Sequence, residues 1–198
     1  MERKETLIII FVVAILVVFS VWQDKPTDMT GAPTVAEPIG DALRRMTTKP
    51  FGLYVTPQDS PISPERFAGY HTGTDFEIFD TEQAVDVAVF AICSGPLRQK
   101  SVSSGYGGVL VQSCTLDGRP VTVIYGHVRL ASVTASIGQE LEAGKRIAVL
   151  GDEYSGDTDG ERKHLHLGIH LGTAVNIRSY VPTRDALSAW LNIADYLQ

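Results

Sequence analysis

Histidine is the side chain best suited to acid–base and metal chemistry near neutral pH, and three of this chain's five histidines stand within HLHLGIH, from His164 to His170. If that segment is a strand, His164 and His166 point to one face with Cα atoms ~7 Å apart. One can then bind a metal while the other reaches a substrate or water beside it. A helix would not place them so, and the helical HExxH motif is absent. In GYHTGTDFEI, His71 and Asp75 flank a Thr-Gly-Thr stretch whose glycine lets the backbone fold tightly. His71, Asp75 and His166 together make three protein donors that leave a fourth tetrahedral position for water, the pattern of catalytic rather than structural zinc. Nitrogen and oxygen donors suit that ion. An isolated HxxxD or HxH arises often by chance, so the weight lies on their conjunction. In PVTVIYGHV, strand alternation expects His127 on the same face as Val121, Val123 and Tyr125. Alone, such a histidine is more often a hydrogen-bonded structural residue. His170 shares the parity of His166 but lies ~13 Å along a straight strand, too far for the same metal, and is assigned no catalytic role.

Those side chains need a rigid β framework, and the sequence offers one. From Phe51 onward, short runs (DFEIF, VDVAVFAI, GGVLVQSCTL, PVTVIYGHV, RIAVLG and HLHLGIHL) alternate with glycine, proline or polar turns. That pattern predicts a mainly β domain, an antiparallel sandwich or barrel. Gly138, Gly144 and Gly151 bracket short strands in it. At the end, Thr183 reads as an N-cap, and Leu187, Trp190, Leu191 and Ala194 follow helical spacing, so residues 183–198 are expected to form one amphipathic helix.

Upstream, residues 23–50 are rich in proline and small polar residues and read as an extended tether, with a helical turn expected from Asp41 to Met46. Thr6 to Trp22 is an uncharged run of seventeen residues, ~25 Å as a helix, enough for a thin bilayer. Residues 1–22 are therefore expected to be an N-terminal transmembrane anchor. Arg3 and Lys4 precede the run, whereas Lys25 stands among Asp24 and Asp28, which places the N-terminus in the cytoplasm and the rest outside. The competing reading is a cleaved signal peptide, with Val18 and Ser20 at the cleavage site. In an external compartment Cys93 and Cys114 can form a disulfide; two buried thiols are the equal alternative, and neither leaves cysteine for a zinc cluster. With 44% hydrophobic and 20% charged residues the chain is globular, and its net charge of −6 without a basic run excludes a nucleic-acid partner.

In chain order, HTGTD, YGH and HLH resemble the signature motifs of the lysostaphin/LytM-type zinc endopeptidases, which cleave peptide bonds in peptidoglycan. Further agreement, in FGLYVTPQDSPISPERFAGYH, VAVFAICSGPL and IGQELEAGKRIAVLG, extends the likeness from about Phe51 to Tyr180. The resemblance implies a LytM core over residues 51–182, zinc held by His71, Asp75 and His166, and His127 with His164 as the catalytic pair. It implies hydrolysis of peptidoglycan cross-links or stem peptides by an enzyme on the outer side of the membrane. The alternative is a non-catalytic LytM-type module that regulates another wall hydrolase or scaffolds envelope proteins; a peptide substrate outside the wall is a third reading. One departure stands beside the site: where relatives commonly have a glycine- and serine-rich turn ending in proline, this chain has DEYSGDTDGERKHLH, with Lys163 at the proline position. The tether is not expected to cover the site, since its only metal-binding side chains are Asp24, Asp28, Glu37 and Asp41.

Overall fold

Alternating apolar residues need a sheet with two covered faces, and the chain builds one. The computed structural model describes residues 35–197; the expected anchor at Thr6–Trp22 lies outside them. Among the described residues no helix is long and apolar enough to cross a membrane. The strands in chain order are β1 (Tyr54–Val55), β2 (Gly69–His71), β3 (Gly73–Glu77), β4 (Ala88–Phe90), β5 (Gly95–Ser103), β6 (Gly107–Leu116), β7 (Arg119–Gly126), β8 (Glu140–Leu141), β9 (Arg146–Val149), β10 (His164–Leu171), β11 (Tyr180–Val181) and β12 (Trp190–Leu191). The main sheet runs β12-β10-β7-β6-β5-β8, with β3 also paired to β10, and every pairing is antiparallel. The strands β1, β2 and β11 form a second sheet, and β4 pairs with β9. The mainly β, antiparallel expectation is met.

Turn chemistry sets the register. Asp117 and Gly118, with φ of 51° and 70°, form the two-residue loop between β6 and β7, a mirror-image turn whose twist matches that of its strands. Cross-strand partners share a face, so Tyr125 beside Leu167 and Val123 beside Ile169 define one side of the sheet. That side is the larger core, where Phe76, Leu97, Leu110, Tyr125, Leu165 and Leu167 are fully buried. Within it the Tyr125 hydroxyl donates to Gln112 Oε1 at 2.9 Å and accepts from the Ile92 amide at 3.0 Å, so a large aromatic is buried without an orphaned oxygen. The opposite side carries a smaller cluster of Val109, Val111, Ile124, Tyr106 and Trp190. Cys93 and Cys114 are bridged, which joins the segment after β4 to β6.

Two expectations are corrected. The second half of the expected tether is packed: Ile39 and Ala42 are buried, the Ala36 amide donates to Ile92 O and the Phe90 amide to Pro38 O. The helical turn expected there is present as a short helix, α1 (Ala42–Arg45), and Arg45 forks onto Glu82 at 2.6 and 2.8 Å while lying over the Phe79 ring. The prolines hid a few buried anchors. At the other end residues 183–198 are not one helix. Thr183 caps as expected, but α2 spans only Arg184–Leu187, after which β12 adds to the edge of β10 and Asn192 caps a 3-10 turn at Ile193–Asp195. Trp190 and Ile193 would share a helical face, whereas here Trp190 joins the smaller cluster and Ile193 the larger core. The open edge of β10 beyond β3 and the local caps of Ser188 and Asn192 outcompete helical propensity.

Candidate metal centre

The histidine strand β10 carries Leu165, Leu167 and Ile169 toward the larger core, so alternation turns His164 and His166 to the other side of the sheet. On the neighbouring β3, Asp75 stands directly across from His166. His71 arrives from β2, one residue before the bend that starts β3. Three donor atoms converge: His71 Nε2 lies 3.0 Å from His166 Nδ1, His166 Nδ1 lies 3.1 Å from Asp75 Oδ1, and Asp75 Oδ1 lies 3.4 Å from His71 Nε2. Ligands ~2.0–2.1 Å from a tetrahedral zinc ion stand ~3.3 Å apart, so the triangle has the size that ion requires. All three side chains are buried. Burial pushes the His166 imidazole down to about 4, keeping it neutral, as a metal ligand must be. Burial alone would raise the Asp75 carboxyl, but the surrounding imidazoles, His164 foremost, hold it well below its usual range. The residues present fit zinc.

The backbone leaves no slack around this triangle. A Cβ on Gly73 would stand 2.6 Å from Leu167 O and 2.7 Å from the His166 ring, so only glycine lets β3 approach β10 here. His71 Nδ1 faces the Pro50 carbonyl at 3.3 Å, and a proton held there leaves Nε2 bare toward the metal position. The Asp75 amide donates to Lys49 O at 3.0 Å. The chain just before Phe51 is thus part of the ligand scaffold.

His164 and His127 face each other with ring centroids 4.2 Å apart. His164 Nδ1 is 2.9 Å from the Arg162 carbonyl, which aims Nε2 at the cleft and toward Asp75 Oδ2, 3.3 Å away. His127 reaches this position by a route strand parity does not foresee. Val121, Val123 and Tyr125 point into the larger core, and continued alternation would have sent His127 with them. Instead β7 ends at Gly126, and His127 adopts a left-handed conformation, φ 62°, that returns its ring to the His164 side. Burial then pushes the His127 imidazole well below its usual range. His170, packed against Trp190 with ring centroids 4.9 Å apart, stays out of the centre, as expected.

Several neighbours carried no obvious signal in the sequence. Tyr106, in the loop joining β5 to β6, lies with its ring 5.3 Å from that of His166 and 5.8 Å from that of His127. Tyr180 lies 5.3 Å from the His71 ring, and a buried Lys49–Glu65 pair, 2.7 Å apart, closes the rim beside it. Arg162 donates to Asp75 Oδ2 at 2.8 Å and forks onto Glu77. Its alternation with His164 and His166 was the available clue. Lys163, one position on, points the other way: it is buried and donates to the carbonyls of Glu82, Gln83 and Val85, so it does not narrow the cleft. Hollows of about 400 and 490 Å³ adjoin the centre, the first past Arg162 and Pro64, the second past Tyr106 and Tyr180.

Residues 69–177 match the family model described as Peptidase family M23. Among solved structures, a chain of the SpoIIQ–SpoIIIAH pore-forming complex is similar at 14% identity and a TM-score of 0.54, over 85% of this chain and 93% of that one. The protein cbpa from L. salivarius REN is similar at 21% identity and 0.50, over 80% and 91%. The antimicrobial peptidase lysostaphin from Staphylococcus simulans is similar at 18% identity and 0.50, over 82% of this chain and 53% of its own. At these identities the likeness is one of fold. No curated protein matches the sequence.

Proposed function

This chain belongs to peptidase family M23, and from that premise we propose that it is a zinc metallo-endopeptidase that hydrolyses peptide bonds in peptidoglycan cross-links or stem peptides, held by its N-terminal segment on the outer face of the membrane. The observation that carries the reading is the triangle of His71 Nε2, Asp75 Oδ1 and His166 Nδ1 with two further imidazoles beside it. Zinc, when bound there, supplies a Lewis acid for the scissile carbonyl and lowers the pKa of the attacking water.

The chain's own groups supply the rest. His127 is neutral near pH 7 because its burial disfavours the charged form. With His164 Nδ1 bound to the Arg162 carbonyl, Nε2, 3.3 Å from Asp75 Oδ2, is the nitrogen turned to the cleft to exchange a proton with water. An N–H from the paired imidazole can meet the charge that develops on the carbonyl oxygen, and the proton passes to the departing amine as the C–N bond breaks. No serine or cysteine nucleophile is required. The hollows that adjoin the centre, past Arg162 and past Tyr106 and Tyr180, have room for substrate residues flanking the cleaved bond.

The test is the purified full chain incubated with peptidoglycan, counting new amine termini. Zinc-dependent release, abolished by a chelator and restored by zinc, is expected. A folded, zinc-loaded protein that releases none sinks the enzyme reading and favours the non-catalytic alternative. In that case a partner hydrolase would be activated equally well after His127→Ala and His164→Ala.

A further inference from the structure

Arg162 departs from the turn that the resembling family has before HLH, and nothing in the proposed hydrolysis uses its side chain. It alternates with His164 and His166, while Asp75 and Glu77 alternate on the adjacent strand, where Glu77 pairs with His164 and Asp75 with His166. The two oxygens of Asp75 therefore meet different company. Oδ1 faces His71 Nε2 at 3.4 Å and His166 Nδ1 at 3.1 Å, whereas Oδ2 accepts from Arg162 Nη2 at 2.8 Å and has His164 Nε2 3.3 Å away. The guanidinium is itself fixed by Glu77, which accepts from Nε at 2.9 Å and from Nη2 at 2.6 Å. The Asp75 side chain is 3% exposed and that of Arg162 16%, so these charge-assisted bonds are shielded from water.

We propose that Arg162 is a positioning residue that makes Asp75 a one-oxygen ligand, and so keeps the centre at the low coordination number zinc prefers. The inference rests on the reading of His71, Asp75 and His166 as metal ligands. A carboxylate free of such a partner can turn both oxygens to a metal, an arrangement suited to harder ions with more oxygen ligands. While Arg162 holds Oδ2, that arrangement requires a shielded ionic hydrogen bond to break.

Charge and geometry must be separated in the test. Removing Arg162 also removes a positive charge, which alters affinity for every divalent cation in the same sense. The ratio of zinc to manganese affinity cancels that contribution and retains the effect of coordination geometry. In the full chain, Arg162→Met is expected to lower the zinc-over-manganese preference about tenfold or more. Arg162→Lys, which keeps the charge but not the fork, should lower it part of the way. The visible absorption of the cobalt-substituted protein should weaken in the same order, because four-coordinate cobalt absorbs more strongly than five- or six-coordinate cobalt.

A preference unchanged in Arg162→Met, with an unchanged cobalt spectrum, overturns the inference. So does a loss of thermal stability with the preference intact, which assigns the arginine to the fold alone. If the methionine variant does not fold, an unchanged preference in the lysine variant overturns it equally. Wild-type protein that takes up no zinc removes the metal reading and this inference with it, so the two failures are told apart.

Discussion

The five central residues divide by what their loss should do. His71→Ala and Asp75→Ala each remove one corner of a triangle with edges of 3.0 to 3.4 Å, and zinc bound per chain, measured by metal analysis after dialysis, is expected to fall to near zero with hydrolysis. His127→Ala and His164→Ala leave that triangle intact, so zinc should stay while the rate drops roughly 10²–10⁴-fold, the usual contribution of a positioned acid or base. Equal zinc loss in all four variants would contradict the division. The three residues of the triangle were legible because spacing, strand parity and the family resemblance together pointed to where donors can meet. His127 was legible only as a motif: parity pointed it into the larger core, and its left-handed backbone, a conformation rare outside glycine, brought it back. Arg162 was not singled out in the sequence: its alternation with His164 and His166 is a signal, but only the approach of β3 to β10 shows which carboxylates it meets.

At the scale of elements, the segment ahead of Phe51 behaves as part of the domain. Lys49 O and Pro50 O hold the Asp75 amide and the His71 ring, and Ile39 and Ala42 are buried in the larger core. A chain truncated to begin at Phe51 should therefore be less stable than one beginning at Val35 and bind zinc at least tenfold more weakly, measured by denaturation and metal competition. Arg45 anchors the same segment, and its bond to Glu82 is the main reason that carboxyl lies below its usual range. A carboxyl depressed in the folded state contributes stability above its unfolded pKa and loses it as pH falls through the folded value. Arg45→Met should thus cost about 2–3 kcal/mol at pH 7. Its penalty should shrink as the pH falls below about 4, where Glu82 in the variant and in the unfolded chain becomes protonated. A penalty independent of pH would assign the cost to packing on Phe79 instead. The β runs and their glycine turns were readable because alternation and turn chemistry are local; the docking of residues 35–50 and the break-up of the C-terminal helix were not, because both depend on surfaces presented by distant strands.

For the whole molecule, the arrangement of thiols and ligands bears on the compartment. The centre uses only imidazole and carboxylate donors, so oxidation of the two cysteines leaves the proposed zinc site untouched, and the bridge between them lies on another part of the sheet. An oxidising exterior favours that bridge, whereas the cytoplasm would keep the thiols reduced. The proposed location therefore has a chemical signature. In cells, the full chain should sediment with membranes, and Cys93 and Cys114 should resist alkylation until a reductant is added. The same protein begun at Val35 and retained in the cytoplasm should be alkylated at both positions. The bridge closes a loop with a sequence separation of 21, for which chain entropy gives about 3 kcal/mol, so the cytoplasmic form should unfold at lower denaturant and recover most of that difference on oxidation. Free thiols in the membrane-associated full chain would place the domain on the reducing side, where peptidoglycan is out of reach, and would overturn the proposed location even if purified protein hydrolysed the polymer.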